Sequence, residues 1–194
     1  MGSSRSPALI ALAVALPVAL VVGVIVAAVL ANRIPARAPV SLAPVPAPAA
    51  DGPDCAALLA ALPTELGGGE HGDGEQGGYG QAELAEPAPP ATLAWTGDAS
   101  DDPASDLVVL RCGLDRPVGF DVASPLTVVN GVQWFQVSGA DQGLEASTWF
   151  AVDRAVYVAL TVPDGSGPTP VQIVSDTVAA TLPAQPLDPA PLPN

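Results

Sequence analysis

The sequence predicts an α+β domain built on an antiparallel sheet, with a single transmembrane helix before it. Three observations carry this prediction: an apolar run over residues 8–31, short segments of period-two hydrophobicity between residues 92 and 162, and a helical segment on either side of those strands. Helices that flank an antiparallel meander commonly cover one face of its sheet. We therefore expect about five or six strands with two helices on one face.

The membrane anchor is predicted from residues 8–31, which contain no charged or strongly polar side chain. As a helix this run extends about 36 Å, more than the ~30 Å hydrocarbon core of a bilayer. Pro17 and Gly23 interrupt the run, but spanning helices tolerate both residue types. The alternative is a cleaved signal peptide, because Ala36-Arg37-Ala38 fits a small-x-small pattern, although signal peptides have shorter apolar cores. A signal anchor leaves residues 1–7 as a cytoplasmic tail.

The side of the membrane is predicted from the two cysteines. The positive-inside count is a tie, because Arg5 and the terminal amine on one side balance two Arg on the other. An even pair of cysteines in a small domain behind an export-type segment predicts a disulfide between Cys55 and Cys112, and disulfides persist in oxidising compartments. We therefore expect a single-pass protein of the cell membrane, with residues 38–194 on the extracytoplasmic side.

The charge of the domain limits its partners. From residue 38 onward, 20 acidic residues stand against three Arg, a net charge of −17. Such a surface repels phosphate backbones and anionic lipid headgroups. The sequence therefore predicts no nucleic-acid partner, and a membrane partner only through residues 8–31.

A Pro/Ala-rich spacer is predicted over residues 32–53, ahead of a folded domain over residues 54–183. The spacer has no apolar periodicity, and in polyproline form at about 3.1 Å per residue it extends up to ~60 Å. The domain is predicted to begin with a helix that has Asp54 as its N-cap and ends at Pro63. The apolar face of this helix consists of Cys55, Leu58, Leu59 and Leu62.

Strands are predicted after a flexible loop over residues 67–90, which is rich in Gly, Glu and Pro. The segments with strand character are residues 92–95, 107–112, 126–129, 132–137, 147–152 and 155–162. By the period of two, Cys112 lies on the core face of the second segment. Asn130-Gly131 between the third and fourth segments predicts a hairpin, because a type I′ turn needs positive φ at both central residues.

The last helix is predicted to start with Thr169 as N-cap and Pro170 at N1, and to stop at Pro183. Its inward residues are Val171, Val174, Val178 and Leu182. The tail over residues 184–194 is predicted to be disordered.

Five short motifs follow one another in this domain. They are CAALLAALP at 55–63, AW at 94–95, LRCG at 110–113, NGVQW at 130–134 and DRAVYV at 153–158. In this order they resemble a family of membrane-anchored or lipid-anchored secreted proteins of actinobacteria, a domain of unknown function. The resemblance implies that the two cysteines pair and that the domain is extracytoplasmic. It implies no activity, substrate or catalytic residue.

The sequence departs from that family in two places. In the family the AW pair is followed closely by LRCG, whereas residues 96–106 intervene here. Residues 67–80, rich in Gly, look like an insertion. What the compact AW-to-LRCG stretch does in the family therefore does not transfer to this chain.

No catalytic residue, metal site or cofactor is predicted. His71 is the only histidine and lies in a Gly-rich acidic loop, where a solvated side chain is the expected state. The carboxylates of the second acidic loop lack the spacing of a Ca²⁺-binding loop, and they are Asp98, Asp101, Asp102 and Asp106. A Ser or Thr nucleophile would need a base, but the single histidine lies in the segment predicted to be least ordered, and both cysteines are assigned to the disulfide.

The remaining candidate site combines cations with aromatic rings. The only cations of the domain are Arg111, Arg116 and Arg154. The predicted strands carry the three tryptophans, Trp95, Trp134 and Trp149. Arg beside an aromatic ring can bind an anionic or sugar-containing ligand through bidentate hydrogen bonds and stacking, and Arg111, Arg154 and Trp134 are the candidate contacts. The alternative is that the arginines pair with nearby aspartates and the tryptophans fill the core.

These observations predict a non-catalytic accessory or binding domain of the cell envelope, because anchor, spacer and disulfide come without a catalytic constellation. Two alternatives stay open. One is an extracytoplasmic hydrolase that acts on envelope glycans through carboxylates, and the other is a structural subunit of a membrane complex.

Overall fold

The computed structural model describes residues 19–25, 38–67, 78–97, 106–140 and 143–192. The chain divides into two units, Met1–Arg37 and Ala38–Asn194. In the first unit, residues 19–25 are helical (α1) and expose apolar side chains. Most of the span predicted over residues 8–31 lies outside the described residues. Of the helices within the described ranges, none combines the length and the apolar character that crossing a bilayer requires.

The second unit is an α+β domain in which an eight-stranded antiparallel sheet predominates. Its helices are α2 (Pro53–Ala61) and α3 (Thr169–Thr181). Its strands are β1 (Glu65–Leu66), β2 (Tyr79–Ala82), β3 (Thr92–Gly97), β4 (Leu107–Leu114), β5 (Thr127–Val129), β6 (Val132–Ser138), β7 (Ala146–Ala151) and β8 (Tyr157–Pro163). Their order in the sheet is β1-β2-β3-β4-β8-β7-β6-β5.

The sheet has more strands than the five or six that the sequence predicts. β2 lies inside the segment predicted as a flexible loop, and β1 lies just before it. Among their side chains only Leu66 and Tyr79 are buried. A single buried residue per strand produces no period-two pattern, so the sequence gives no signal for either strand.

The strand order also departs from a simple meander. Strands β5 to β8 follow one another as neighbours, but β8 pairs with β4, so residues 115–126 connect the centre of the sheet to its far edge. The predicted hairpin is confirmed, since Asn130 and Gly131 have φ of 46° and 79° and join β5 to β6. The Asn130 side chain also donates to Asp176 Oδ1 at 2.8 Å, which fastens this turn to α3.

Both helices pack on one face of the sheet, called the helix face below. The predicted disulfide is confirmed: Cys55 of α2 is bonded to Cys112 of β4, with a Cα–Cα distance of 5.6 Å. The N-caps differ from the predicted ones, because Gly52 precedes α2 and Pro168 precedes α3, both without a side-chain cap. The core of the helix face includes Leu58, Trp95, Val108, Leu110, Trp134, Val158, Leu160, Val174 and Val178.

The other face of the sheet, called the open face below, carries no helix of the described part of the domain. Phe120 from the long β4–β5 connection packs on Phe135 of β6, with ring centroids 5.5 Å apart. The C-terminal tail also joins the domain, because Ala190 bridges Asp121 and the Gln185 amide donates to Asp153 O at 2.9 Å. Backbone pairing, which apolar patterning does not report, therefore orders a tail that the sequence predicts as disordered.

Part of the predicted spacer is hydrogen-bonded to the domain as well. Val40 forms a parallel bridge with Leu84, and the Ala49 amide donates to Gly113 O at 3.0 Å. Gly113 has φ of 83°, and a Cβ there would lie 2.4 Å from the Ala50 amide nitrogen, so this approach requires glycine. A Pro-rich chain in polyproline form makes no hydrogen bonds within itself, so its free backbone groups can pair with the domain. Composition does not indicate such pairing, so the sequence did not predict this contact.

Candidate functional site

The three side chains predicted to contact a ligand do not come together. Trp134 lies on the helix face, under α3. Arg111 precedes the core-facing Cys112 in β4 and therefore lies on the open face. Arg154 lies between β7 and β8, near the turn that joins β5 to β6. One small ligand cannot contact all three, because the sheet separates Trp134 from Arg111.

Trp134 belongs to the core and offers no surface to a ligand. Its side chain is fully buried, and its Nε1 donates to Ser175 Oγ at 2.9 Å. Trp95 is buried in the same way and donates to Pro63 O at 3.0 Å. For these two tryptophans the alternative interpretation from the sequence, that they fill the core, is what the structure contains.

The hydrogen bond to Trp134 leads to a stability prediction. The hydroxyl of Ser175 also donates to Val171 O at 2.6 Å, so it satisfies an indole N–H inside the core. We expect Ser175→Ala to lower the free energy of unfolding by about 1–3 kcal/mol, because it leaves that N–H buried without a partner. Urea denaturation measures the loss. Thr177→Ala is the matched control, since the Thr177 hydroxyl donates to the backbone of its own helix, at Ile173 O, and equal losses in the two variants would contradict the prediction.

Arg154 is committed to contacts inside the domain. Its Nη1 lies 2.8 Å from Asp153 Oδ1, and the two side chains are only 2% and 5% exposed. Nη1 also donates to Asp153 O at 2.9 Å and Nη2 to Gly131 O at 3.1 Å. The two charged groups are in contact without an aligned hydrogen bond, since neither Asp153 Oδ1 nor Arg154 Nε has a hydrogen-bond partner within the described ranges. Arg154 is therefore a buried structural cation that joins two turns, and not a ligand contact.

Arg116 holds the C-terminal tail from an exposed position. Its guanidinium donates to the Asp188 carboxylate, and that hydrogen bond raises the pKa of Arg116 above its usual value. The Tyr157 hydroxyl donates to Asp188 O at 3.4 Å, so the tail is held both by a residue that follows β4 and by the first residue of β8. Exposed ion pairs of this kind contribute little to stability.

Arg111 is the one cation of the domain without a carboxylate partner among the described residues. Its Cα partners in the neighbouring strands are Thr92 of β3 and Ala159 of β8. The next residues of β4 on the same face are Val109 and Gly113, so no acidic residue borders it in the sheet. Its Nε is buried and makes no hydrogen bond to any described residue, and burial lowers the pKa of the guanidinium.

The side chain at this position has the chemistry that anion recognition requires. A guanidinium presents five N–H donors in a planar fork that matches a carboxylate or a phosphate in bidentate geometry. At Arg111 this fork is half-buried and lacks an internal acceptor among the residues that the structure describes. Arg111 on the open face is therefore the candidate binding group.

The predicted metal-ligand candidates lie mainly outside the described residues. His71 and three of the four aspartates of the second acidic loop belong to ranges that the structure does not describe, and Asp106 is described. Within the described ranges, no three His, Cys, Asp or Glu side chains come together as a metal site.

The sequence identified Arg111 as a candidate cation, but it did not predict that Arg111 lies away from carboxylates in the sheet. Asp115 lies four positions away, and a local reading of the chain favours their pairing. The register of β4 between β3 and β8 decides otherwise, because it surrounds Arg111 with uncharged residues. The sequence signal that could have located Arg111 is the period-two alternation in LVVLRC, which places Arg111 and Cys112 on different faces of the sheet.

One comparison with known proteins finds a match. A family model described as "Protein of unknown function (DUF3515)" matches residues 14–187, which include α2, α3 and all eight strands. Neither the curated proteins nor the solved structures contain a match to the chain.

Proposed function

The chain belongs to DUF3515, a family of proteins of unknown function, and we propose that it is a non-catalytic binding domain of the cell envelope, tethered outside the cytoplasmic membrane by its N-terminal segment. The observation that carries the proposal is the guanidinium of Arg111, half-buried on the open face and without a carboxylate partner in the described part of the chain. We propose that the domain binds an anionic group of its partner there.

Energetics support a binding role for Arg111. Among the described residues nothing supplies a counter-charge to this half-buried cation, so the hydration that burial removes is not replaced there and the stability of the free domain is lowered. A hydrophobic residue at this position of the sheet would avoid that loss. Residues that reduce stability are characteristic of binding sites, where the ligand supplies the missing interaction.

Two observations support the proposed location. The apolar run over residues 8–31 is long enough to span a bilayer as a helix. The Cys55–Cys112 disulfide is a bond that persists in oxidising compartments. An extracytoplasmic domain on a membrane anchor accommodates both.

We expect substitution of Arg111 to separate stability from binding. Arg111→Met should raise the free energy of unfolding by about 1 kcal/mol, because it removes a buried donor that has no acceptor, while solvent screens the outer part of the side chain. Arg116→Met, at an exposed arginine, is the matched control and should change stability by less. Urea denaturation of the full chain in phosphatidylcholine vesicles measures both, and a clear loss of stability in Arg111→Met would contradict the assignment.

Affinity capture from intact cells, with the anchor retained, tests the binding role itself. Wild-type chain and Arg116→Gln should recover the same partner, and Arg111→Gln should not. Equal recovery by both variants would remove Arg111 from the site. Turnover of envelope glycans by the purified chain, abolished by one Asp or Glu substitution, would replace the binding role by the hydrolase alternative.

A further inference from the structure

We propose a second binding site on this domain, a cleft on the helix face that binds one or two rings of a neutral saccharide. The cleft has a volume of about 360 Å³, which falls within the roughly 300–1,000 Å³ of small-molecule sites. It lies where β6, β7 and β8 meet the turn that precedes α3. Its lining consists of Gln136, Ser147, Trp149, Val162, residues 163–168 and Val171.

Trp149 provides the apolar floor of this cleft. It is the one tryptophan of the three that is not fully buried, since Trp95 and Trp134 are 0% exposed. One part of the Trp149 side chain packs against the core of the helix face, and this contact holds the ring in place. The ring also lines the cleft. A fixed, partly exposed indole is suited to the C–H face of a sugar ring, because it offers apolar area at little cost in side-chain entropy.

The polar groups of the cleft suit hydroxyl groups. Ser147 Oγ donates to Asp164 Oδ1 at 3.3 Å, and Ser166 Oγ donates to Pro163 O at 2.7 Å, so both hydroxyls are oriented by the protein. The exposed carboxylate of Asp164 retains free acceptor positions, and the exposed amide of Gln136 supplies both donors and an acceptor. Sugar hydroxyls both donate and accept, so adjacent hydroxyls on one ring match this mixture.

Charge and ring count select the ligand class. The only charged residue of the lining is Asp164, whose carboxylate disfavours anionic ligands. Tight recognition of a quaternary amine uses a cage of several aromatic rings, whereas Trp149 is the single aromatic residue among those that line this cleft. A neutral, hydroxyl-rich ligand fits the lining better than either charged class.

Tryptophan fluorescence tests this site directly. Because the other two indoles are fully buried, quenching by acrylamide reports on Trp149. The full chain in phosphatidylcholine vesicles is titrated with maltotriose, cellobiose and N,N′-diacetylchitobiose. We expect at least one of them to protect Trp149 from acrylamide and to shift its emission, with a saturating concentration dependence.

Two substitutions in the cleft test the site, and one substitution on the open face is the matched control. Gln136→Ala, in the cleft, should weaken saccharide protection at least fivefold, and Asp164→Asn should also weaken it. Gln133→Ala, on the open face of the same strand, should leave it unchanged. All three positions are solvent-accessible, so these variants are expected to fold. Three results would overturn the proposal: no protection by any of the saccharides, equal protection in the Gln136 and Gln133 variants, or protection by choline alone.

Discussion

Removal of the Cys55–Cys112 disulfide is expected to lower the free energy of unfolding of the domain by about 4 kcal/mol. The bond closes a loop between residues 57 apart in sequence, and the chain-entropy estimate for a loop of that length gives this figure. Domains of this size have a total stability of roughly 5–15 kcal/mol, so the bond accounts for a large share. Both cysteines are 0% exposed and join α2 to the sheet centre, so packing of α2 also depends on the bond.

Urea denaturation with and without reductant measures this effect. The wild-type chain should shift to lower urea on reduction, and Cys55→Ala/Cys112→Ala should resemble reduced wild type and not respond to reductant. The slope of the transition should also increase on reduction, because an unfolded chain without the cross-link exposes more surface. A shift of less than 1 kcal/mol would show that strain in the folded domain, or structure retained after unfolding, offsets the entropy term.

Arg154→Ala is expected to cost about 3–5 kcal/mol, the range for removal of one partner from a buried ion pair. The substitution leaves the Asp153 carboxylate, 5% exposed, without a counter-charge. It also removes the hydrogen bond to Gly131 O that joins the β7–β8 turn to the β5–β6 turn. The loss should therefore exceed that of any other single arginine of the domain.

Two variants separate the ion pair from general effects of losing an arginine. Arg116→Ala removes an exposed pair with Asp188 and should cost less than about 1 kcal/mol. Asp153→Asn combined with Arg154→Met removes both charges and should recover much of the stability lost in Arg154→Ala, because neither charge is then left buried alone. If the double variant were as unstable as Arg154→Ala, the hydrogen bonds of Arg154, and not its charge, would be the important contribution.

Features that depend on neighbouring residues could be predicted from the sequence. The Asn130-Gly131 hairpin follows from the φ angles that these two residue types tolerate. Both helices were placed within one or two residues by apolar spacing and by the prolines beside them. The disulfide was predicted because the domain has only two cysteines, and both faced the expected core.

Features that depend on pairing between distant segments could not be predicted from the sequence. β2 forms on the edge that β3 provides, and β1 then pairs with β2, where Leu66 lies beside Tyr79; no local pattern marks either strand. The same holds for Val40 and Ala190, whose backbones pair with Leu84 and Asp121. A composition rich in Pro, Gly and Ala indicates that a segment has few large apolar side chains to bury. It does not indicate whether the backbone of that segment forms hydrogen bonds with distant residues.

The candidate sites show the same division. The sequence by itself determined which side chains carry charge or an aromatic ring, and so it singled out Arg111, Arg154 and Trp134. Only the tertiary structure decided that Arg154 is paired, that Trp134 is enclosed, and that Arg111 has no counter-charge among the described residues. The physical reason is that burial and ion pairing depend on strand register, which brings together residues far apart along the chain.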